Sequence, residues 1–215
     1  MEKAQIAEQN EKKWDSRAKT YDAKRFDYFR FMQKRLISLL DLREGTHLLD
    51  LGCGTGWAVR YAAAKANQQG EFDGVDISAK MIEIARANST GCRNVHFFQT
   101  GAERLPFNNN YFDCVICSNS FHHYFSPAKV LKEVKRVLKP NGKIYILDLT
   151  CDRRLPKMLN RRCQRREPAH VSFYSTDEYR SLFSSEGLNY VGGKIIAGRL
   201  IGFPMKVHIG LKNGK

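Results

Sequence analysis

The chain has 215 residues, 42% of them hydrophobic, and a formal net charge of +14, which suits one α/β domain with a sizeable core and an ordinary globular composition. Met1 to Lys13 is polar and charged, unlike a secretory signal, and no apolar run approaches the ~20 residues needed to span a bilayer, so a cytoplasmic location is expected. The charge is uneven: residues 151–215 carry 13 Lys/Arg against 5 acids, seven of the bases between Arg153 and Arg166, which favours anionic partners.

Residues 1–24 are polar apart from Trp14 and Tyr21 and read as a short helix or mobile arm. Phe29, Met32, Leu36, Ile37 and Leu40 have helical spacing, so Phe26 to Leu40 is expected as a packed amphipathic helix before Gly45. Thr46–Leu51 is a near-continuous apolar run, as a buried parallel strand requires, and a helix is expected over Trp57–Ala66. Glu71–Ile77 is the second strand, followed by a helix with Ser78 as N-cap and Gly91 as stop. Asn94–Phe98 and Tyr111–Cys117 are the third and fourth strands. Pro127 opens a helix at its first position, with Val130, Leu131, Val134, Val137 and Leu138 as its buried face. Pro140-Asn141-Gly142 is a turn before the fifth strand, Lys143–Leu149. Leu155, Met158, Leu159 and Cys163 lie on one face of an Arg-rich helix, and Ser175 with Glu178 forms a capping-box pattern. Leu188–Ile196 and Val207–Leu211 read as a final hairpin.

Alternation of strand and helix implies a parallel sheet covered on both faces. The expected fold is a Rossmann-like, doubly wound α/β sheet of seven strands. It is mostly parallel, with an antiparallel C-terminal edge hairpin and N-terminal helices, in a single domain over 1–215. Residues 1–24 are set apart as an N-terminal segment and 150–175 as a basic insertion. Cys53, Cys92, Cys114, Cys117, Cys151 and Cys163 form no disulfide or zinc framework. Cys114 and Cys117 sit three apart on a strand, hence on opposite faces. No histidine stands four residues from another, and no metal is expected.

The ligand is read from the turn after the first strand, Gly52-Cys53-Gly54-Thr55-Gly56. Its third glycine comes one position early for a dinucleotide fingerprint, and Asp50 is a poor neighbour for a pyrophosphate. Asp76 ends the second strand, where an acidic side chain takes a ribose diol. A ribose joined to a cationic group, as in S-adenosylmethionine, satisfies both acids.

The motifs LLDLGCGTG (48–56), GVDIS-x-x-MIEIAR (74–86), GAERLPF (101–107), YFDCVICSNSFHH (111–123) and VLKEVKRVLKPNGKIYI (130–146) together resemble the class I S-adenosylmethionine-dependent methyltransferases. The likeness is to the subgroup of quinone-biosynthesis and other small-molecule enzymes, and covers about half of the chain, Leu48 to Leu149. It implies that Asp50 and the backbone of Gly52, Cys53, Gly54, Thr55 and Gly56 hold the methionine part of the cofactor. It also implies that Asp76 accepts both ribose hydroxyls, Ile77 and Met81 flank adenine, and Ala102 and Glu103 present backbone to its edge. Ser118 and Asn119 would face the methionine end, with Trp14 and Tyr21 as a cover. The resemblance likewise implies that residues 1–24 are a cover segment and 150–175 a substrate-side insertion. Gly101 departs from the family, which often has an adenine-binding Asp there. His122, His123 and Tyr21 are the catalytic candidates. Neighbouring residues diverge, so at most one of the two histidines should face the pocket.

Methyl transfer is an in-line displacement, and a base is needed only for a protonated nucleophile. The expected acceptor is a small molecule, anionic or amphipathic. The Arg153–Arg166 stretch is expected as a lid facing an anionic substrate, a phospholipid surface or RNA. That expectation has two rivals: an RNA or protein methyltransferase using the basic tail, and a non-catalytic S-adenosylmethionine-binding protein. A nucleic-acid acceptor is not favoured, because Asn119 opens Asn-Ser-Phe-His rather than Asn/Asp-Pro-Pro-aromatic.

Overall fold

A computed structural model describes residues 2–21, 26–152, 154–166, 170–197 and 204–214. Asp22 of the cover segment and Arg153 of the basic stretch lie outside them. Two helices come first, α1 (Glu2–Tyr21) and α2 (Phe26–Ile37). The expected short helix or arm over 1–24 is therefore corrected to one 20-residue helix. Strands and helices then alternate: β1 (His47–Leu51), α3 (Trp57–Lys65), β2 (Glu71–Asp76), α4 (Ala79–Ala87), β3 (Val95–Gln99) and β4 (Phe112–Ser118). A short 3-10 turn, Phe121–His123, leads to α5 (Pro127–Val137) and β5 (Leu138–Leu149). The remainder is α6 (Arg154–Arg166), α7 (Thr176–Ser185), β6 (Asn189–Ala197) and β7 (Met205–Leu211).

The sheet order is β3-β2-β1-β4-β5-β7-β6. β1 to β5 pair in parallel, and β7 runs antiparallel between β5 and β6. The antiparallel pair is at the edge as expected, with the earlier strand, β6, outermost. Pro140-Asn141-Gly142 does not precede β5 but forms a bulge within it. Leu138 pairs with Phe112, and pairing resumes where Lys143 faces Cys114. Asn141 takes φ +65° there, a left-handed conformation that Asn tolerates.

Apolar side chains fill both faces. On one, Met32, Leu36, Ala58, Val59, Ala62, Ile82 and Ala85 of α2–α4 pack with Leu48 and Ile116. On the other, Val130, Leu131 and Val134 of α5 and Tyr179 and Phe183 of α7 pack with Leu49, Leu51 and Val115. Cys114 belongs to the first core and Cys117 to the second, and burial pushes both thiols up. The two thiols therefore face opposite sides of the sheet.

The cap motifs form as read. Ser78 Oγ accepts from Met81 N at 3.1 Å. Glu178 N donates to Ser175 Oγ at 3.3 Å, and Ser175 N returns a bond to the Glu178 carboxylate at 2.7 Å. On α6 the face is shifted: Pro156 is buried, Leu159, Asn160 and Cys163 are half-buried, and Met158 is 66% exposed. Met158 is thus not part of the packed face expected for it; the side chain of Leu155 is not among those described. The chain winds outward from β1 to β3, then returns across to β4. That reversal opens a crevice at the carboxyl ends of β1 and β4.

Candidate cofactor and acceptor site

The turn after β1 is built by backbone conformation. Gly52, Gly54 and Gly56 have φ of +67°, +53° and +76°, the left-handed region that costs other residues about 1–2 kcal/mol each. Gly52 N and Cys53 N both donate to Val75 O, at 2.8 and 3.0 Å, locking the turn to β2. Asp76, at the end of β2, braces it from the other side. One carboxylate oxygen accepts from Gly54 N and the other from Ser78 N, each at 2.9 Å.

A buried carboxylate, Asp50, and a half-buried one, Asp76, therefore flank one turn. Burial raises the Asp76 pKa, while the bonds from Ser78 and Gly54 pull it down. Asp50 is pushed well above the usual carboxylate range by burial and then by the Asp76 charge. Its Oδ1 has no hydrogen-bond partner. Such a pair suits a ligand that brings both hydroxyl donors and a positive charge.

The crevice is a cavity of about 320 Å³ roofed by α1. Asp15 on α1 accepts from Ser78 Oγ at 2.5 Å and from Lys80 N at 3.2 Å, so α1 reaches over the cavity to the N-terminus of α4. Glu11 accepts from Gln99 Nε2 at 3.2 Å. Asn10, Trp14 and Tyr21 face the cavity from α1. Trp14 makes edge contacts with Tyr21 and His123, ring centres 6.2 and 5.2 Å away.

The far wall comes from the end of β4. Asn119, with φ +55°, donates its N–H to Leu147 O at 2.8 Å. Ser120 Oγ donates to Leu51 O at 2.9 Å and lies 3.4 Å from the Tyr124 hydroxyl. His122 and His123 then diverge. His122 Nδ1 lies 2.8 Å from both Asp148 oxygens, and the His122 backbone N–H donates to Asp148 Oδ2 at 3.1 Å. His123 faces the cavity.

A family model described as "Methyltransferase domain" matches residues 42–187. The chain belongs to the class I S-adenosylmethionine-dependent methyltransferases. That membership supports S-adenosylmethionine as its cofactor. The uncharacterized methyltransferase YcgJ of Bacillus subtilis is 34% identical over 159 residues, 72% of this chain and 62% of that protein. The ubiquinone/menaquinone biosynthesis C-methyltransferase UbiE of Francisella tularensis subsp. novicida is 34% identical over 132 residues, 60% of this chain and 53% of that protein. The chain thus spans about half to three-fifths of the length of these curated relatives. Among solved structures, that of YcgJ superposes with a TM-score of 0.71 at 24% identity, over 86% of this chain and 100% of that one. The methyltransferase complexed with the Haloferax volcanii Trm112 activator gives 0.81 at 22% identity, over 93% of this chain and 97% of that one. Both likenesses concern the fold.

In this methyltransferase the cavity brings together Trp14, Tyr21, Gly52, Gly54, Asp76, Ile77, Met81, Ala102, Glu103, Ser118, Asn119 and His123. Asp50 at the end of β1 and Cys53, Thr55 and Gly56 within the turn are not on its wall, which the turn meets through Gly52 and Gly54. His122 is likewise outside the cavity, turned away by its bonds to Asp148. Sequence reading missed Asn10, Thr100, Ser120, Tyr124, Phe125 and Lys129 on the wall. Asn10 was detectable, because it lies one helical turn before Trp14. The turned-back loop that brings Ser120 and Tyr124 to Gly52 left no periodic signal.

Proposed function

We propose that this methyltransferase moves a methyl group to a small amphipathic acceptor with a hydroxylated planar ring, the chemical class of a hydroquinone. The observation carrying this is the acceptor-side wall. The Trp14–His123 edge pair stands in one cavity with Asn10, whose buried Oδ1 has no partner. Flat rings pack on aromatic edges, and an orphaned amide oxygen calls for a hydroxyl donor. The name of the Francisella relative, a quinone-pathway C-methyltransferase, agrees with a ring acceptor.

The cofactor supplies a methyl made electrophilic by its sulfonium. This chain's residues bind, orient and exclude water. Asp76 takes the ribose hydroxyls, with Ile77 and Met81 against the adenine faces and Ala102 and Glu103 at its edge. The Gly52 and Gly54 backbone holds the methionine part beside Ser118 and Asn119. Burial favours the protonated form of Asp50, and a positive charge arriving in the site would favour its ionised form. Helix α1 closes over the pair, and Tyr21 covers the methyl-bearing end. His123 takes the hydroxyl proton as the ring becomes nucleophilic.

The test is transfer of a labelled methyl to a panel of hydroquinones, catechols, RNA and protein. Ring acceptors should be labelled, and His123→Ala should lower kcat about 100-fold or more with S-adenosylhomocysteine affinity unchanged. Labelling of RNA or protein alone would exclude this reading.

A further inference from the structure

We propose that the outer face of α6 docks on an anionic phospholipid bilayer. The helix has one buried edge and one charged face. Positions 156, 159, 160 and 163 point inward, the i, i+3, i+4, i+7 pattern of a packed helix. Lys157, Met158, Arg161, Arg162 and Arg165 are exposed, and the helix sequence contains no acid. Among the described residues, none of these four cations belongs to an ion pair.

Two features select a bilayer over nucleic acid. Met158, 66% exposed, is the most exposed large apolar side chain among the described residues, and it lies one turn from Arg161 and Arg162. An apolar tip among cations suits the boundary of headgroup and acyl chain and gains nothing against a phosphate backbone. The helix also has no aromatic ring on which a base would stack.

The helix is also tied to the acceptor wall. Asn160 Oδ1 accepts from Phe173 N at 2.8 Å and lies 2.7 Å from His170 Nε2. Val171 N and Ser172 N of the same loop donate to His122 O at 2.9 and 3.2 Å. Docking through α6 would therefore bear on the segment that carries His123, the residue given to the ring acceptor in the proposed function; the docking surface itself does not rest on that reading, and its test uses no acceptor.

The protein is sedimented with vesicles of phosphatidylcholine alone and of phosphatidylcholine mixed with phosphatidylglycerol. Binding is expected to the mixed vesicles only, and to fall with salt. At the usual contribution per basic residue, Arg161→Gln/Arg162→Gln/Arg165→Gln should bind roughly 100-fold more weakly. Lys132→Gln/Lys135→Gln, on α5, removes charge elsewhere and should bind like the parent. Met158→Ser should weaken vesicle binding several-fold and leave polyuridylate binding unchanged. A retained thermal shift with S-adenosylhomocysteine shows each variant folded. Absence of binding to mixed vesicles, equal loss in the α5 control, or polyuridylate binding tighter than vesicle binding with Met158→Ser silent would each overturn the proposal.

Discussion

Gly54 and Gly56 are two residues apart, both left-handed, yet replacing them with alanine should do different things. The shared part is conformational, about 1–2 kcal/mol for an L residue at such φ. The rest depends on where the new methyl goes. At Gly56 it would lie 2.5 Å from Phe97 Cζ and 3.0 Å from Ala85 Cβ. Phe97 is in the core, so the methyl must displace packed side chains, typically at about 1–3 kcal/mol. At Gly54 the nearest atom is Tyr21 Cε1 at 3.6 Å, an ordinary contact, but the methyl points into the cofactor cavity. Gly56→Ala should therefore be less stable than Gly54→Ala by about 1–3 kcal/mol, or about 2–12 °C in Tm for a chain this long. Gly54→Ala should instead lose affinity for S-adenosylhomocysteine by roughly tenfold or more, one tenfold step being about 1.4 kcal/mol. Thermal melts without ligand and titration calorimetry with it separate the two effects. Equal melting temperatures, or full affinity in Gly54→Ala, would refute the division between a packing glycine and a ligand-facing one.

Asp76→Asn should raise the S-adenosylhomocysteine Kd at least tenfold, since each hydrogen bond to a charged acceptor contributes about 1.5–3 kcal/mol; calorimetry reads it directly. Asp15→Ala removes the acceptor for Ser78 Oγ and Lys80 N. It should make α1 more protease-sensitive and weaken cofactor binding, with a stability loss of about 1 kcal/mol, as for a lost helix cap. His208 is buried, and burial, with help from Lys206, lowers its pKa to about 3. A base with a depressed native pKa leaves the unfolded chain holding more protons, so stability is present above pH 6.5 and lost as pH falls toward 3. Urea unfolding should show about 2 kcal/mol lost from this source between pH 7 and pH 5, and His208→Phe should flatten that slope.

What the sequence determined by itself was local or periodic. The glycine turn, the Pro127 helix start, the Ser78 cap and the Ser175–Glu178 box each depend on residues within a few positions, so their chemistry is legible in order. Alternation of apolar segments implied the layered sheet, and period two placed Cys114 and Cys117 in separate cores. Asp76 was legible because the end of β2 falls at a fixed distance from the turn it faces. Tertiary structure decided what depends on distant partners. Asp148 lies 26 residues from His122, and its grip on that imidazole left His123 to face the cavity. Asp15 meets Ser78 across 63 residues, which turns a polar N-terminal segment into a roof. A hairpin pattern makes β6 and β7 neighbours but cannot say which of them adds to β5; pairing with the β5 edge chose β7. Asp50 is the sharpest case. Its acidic side chain was evident beside the glycines, but only the packing around β1 buried it and pushed its pKa up.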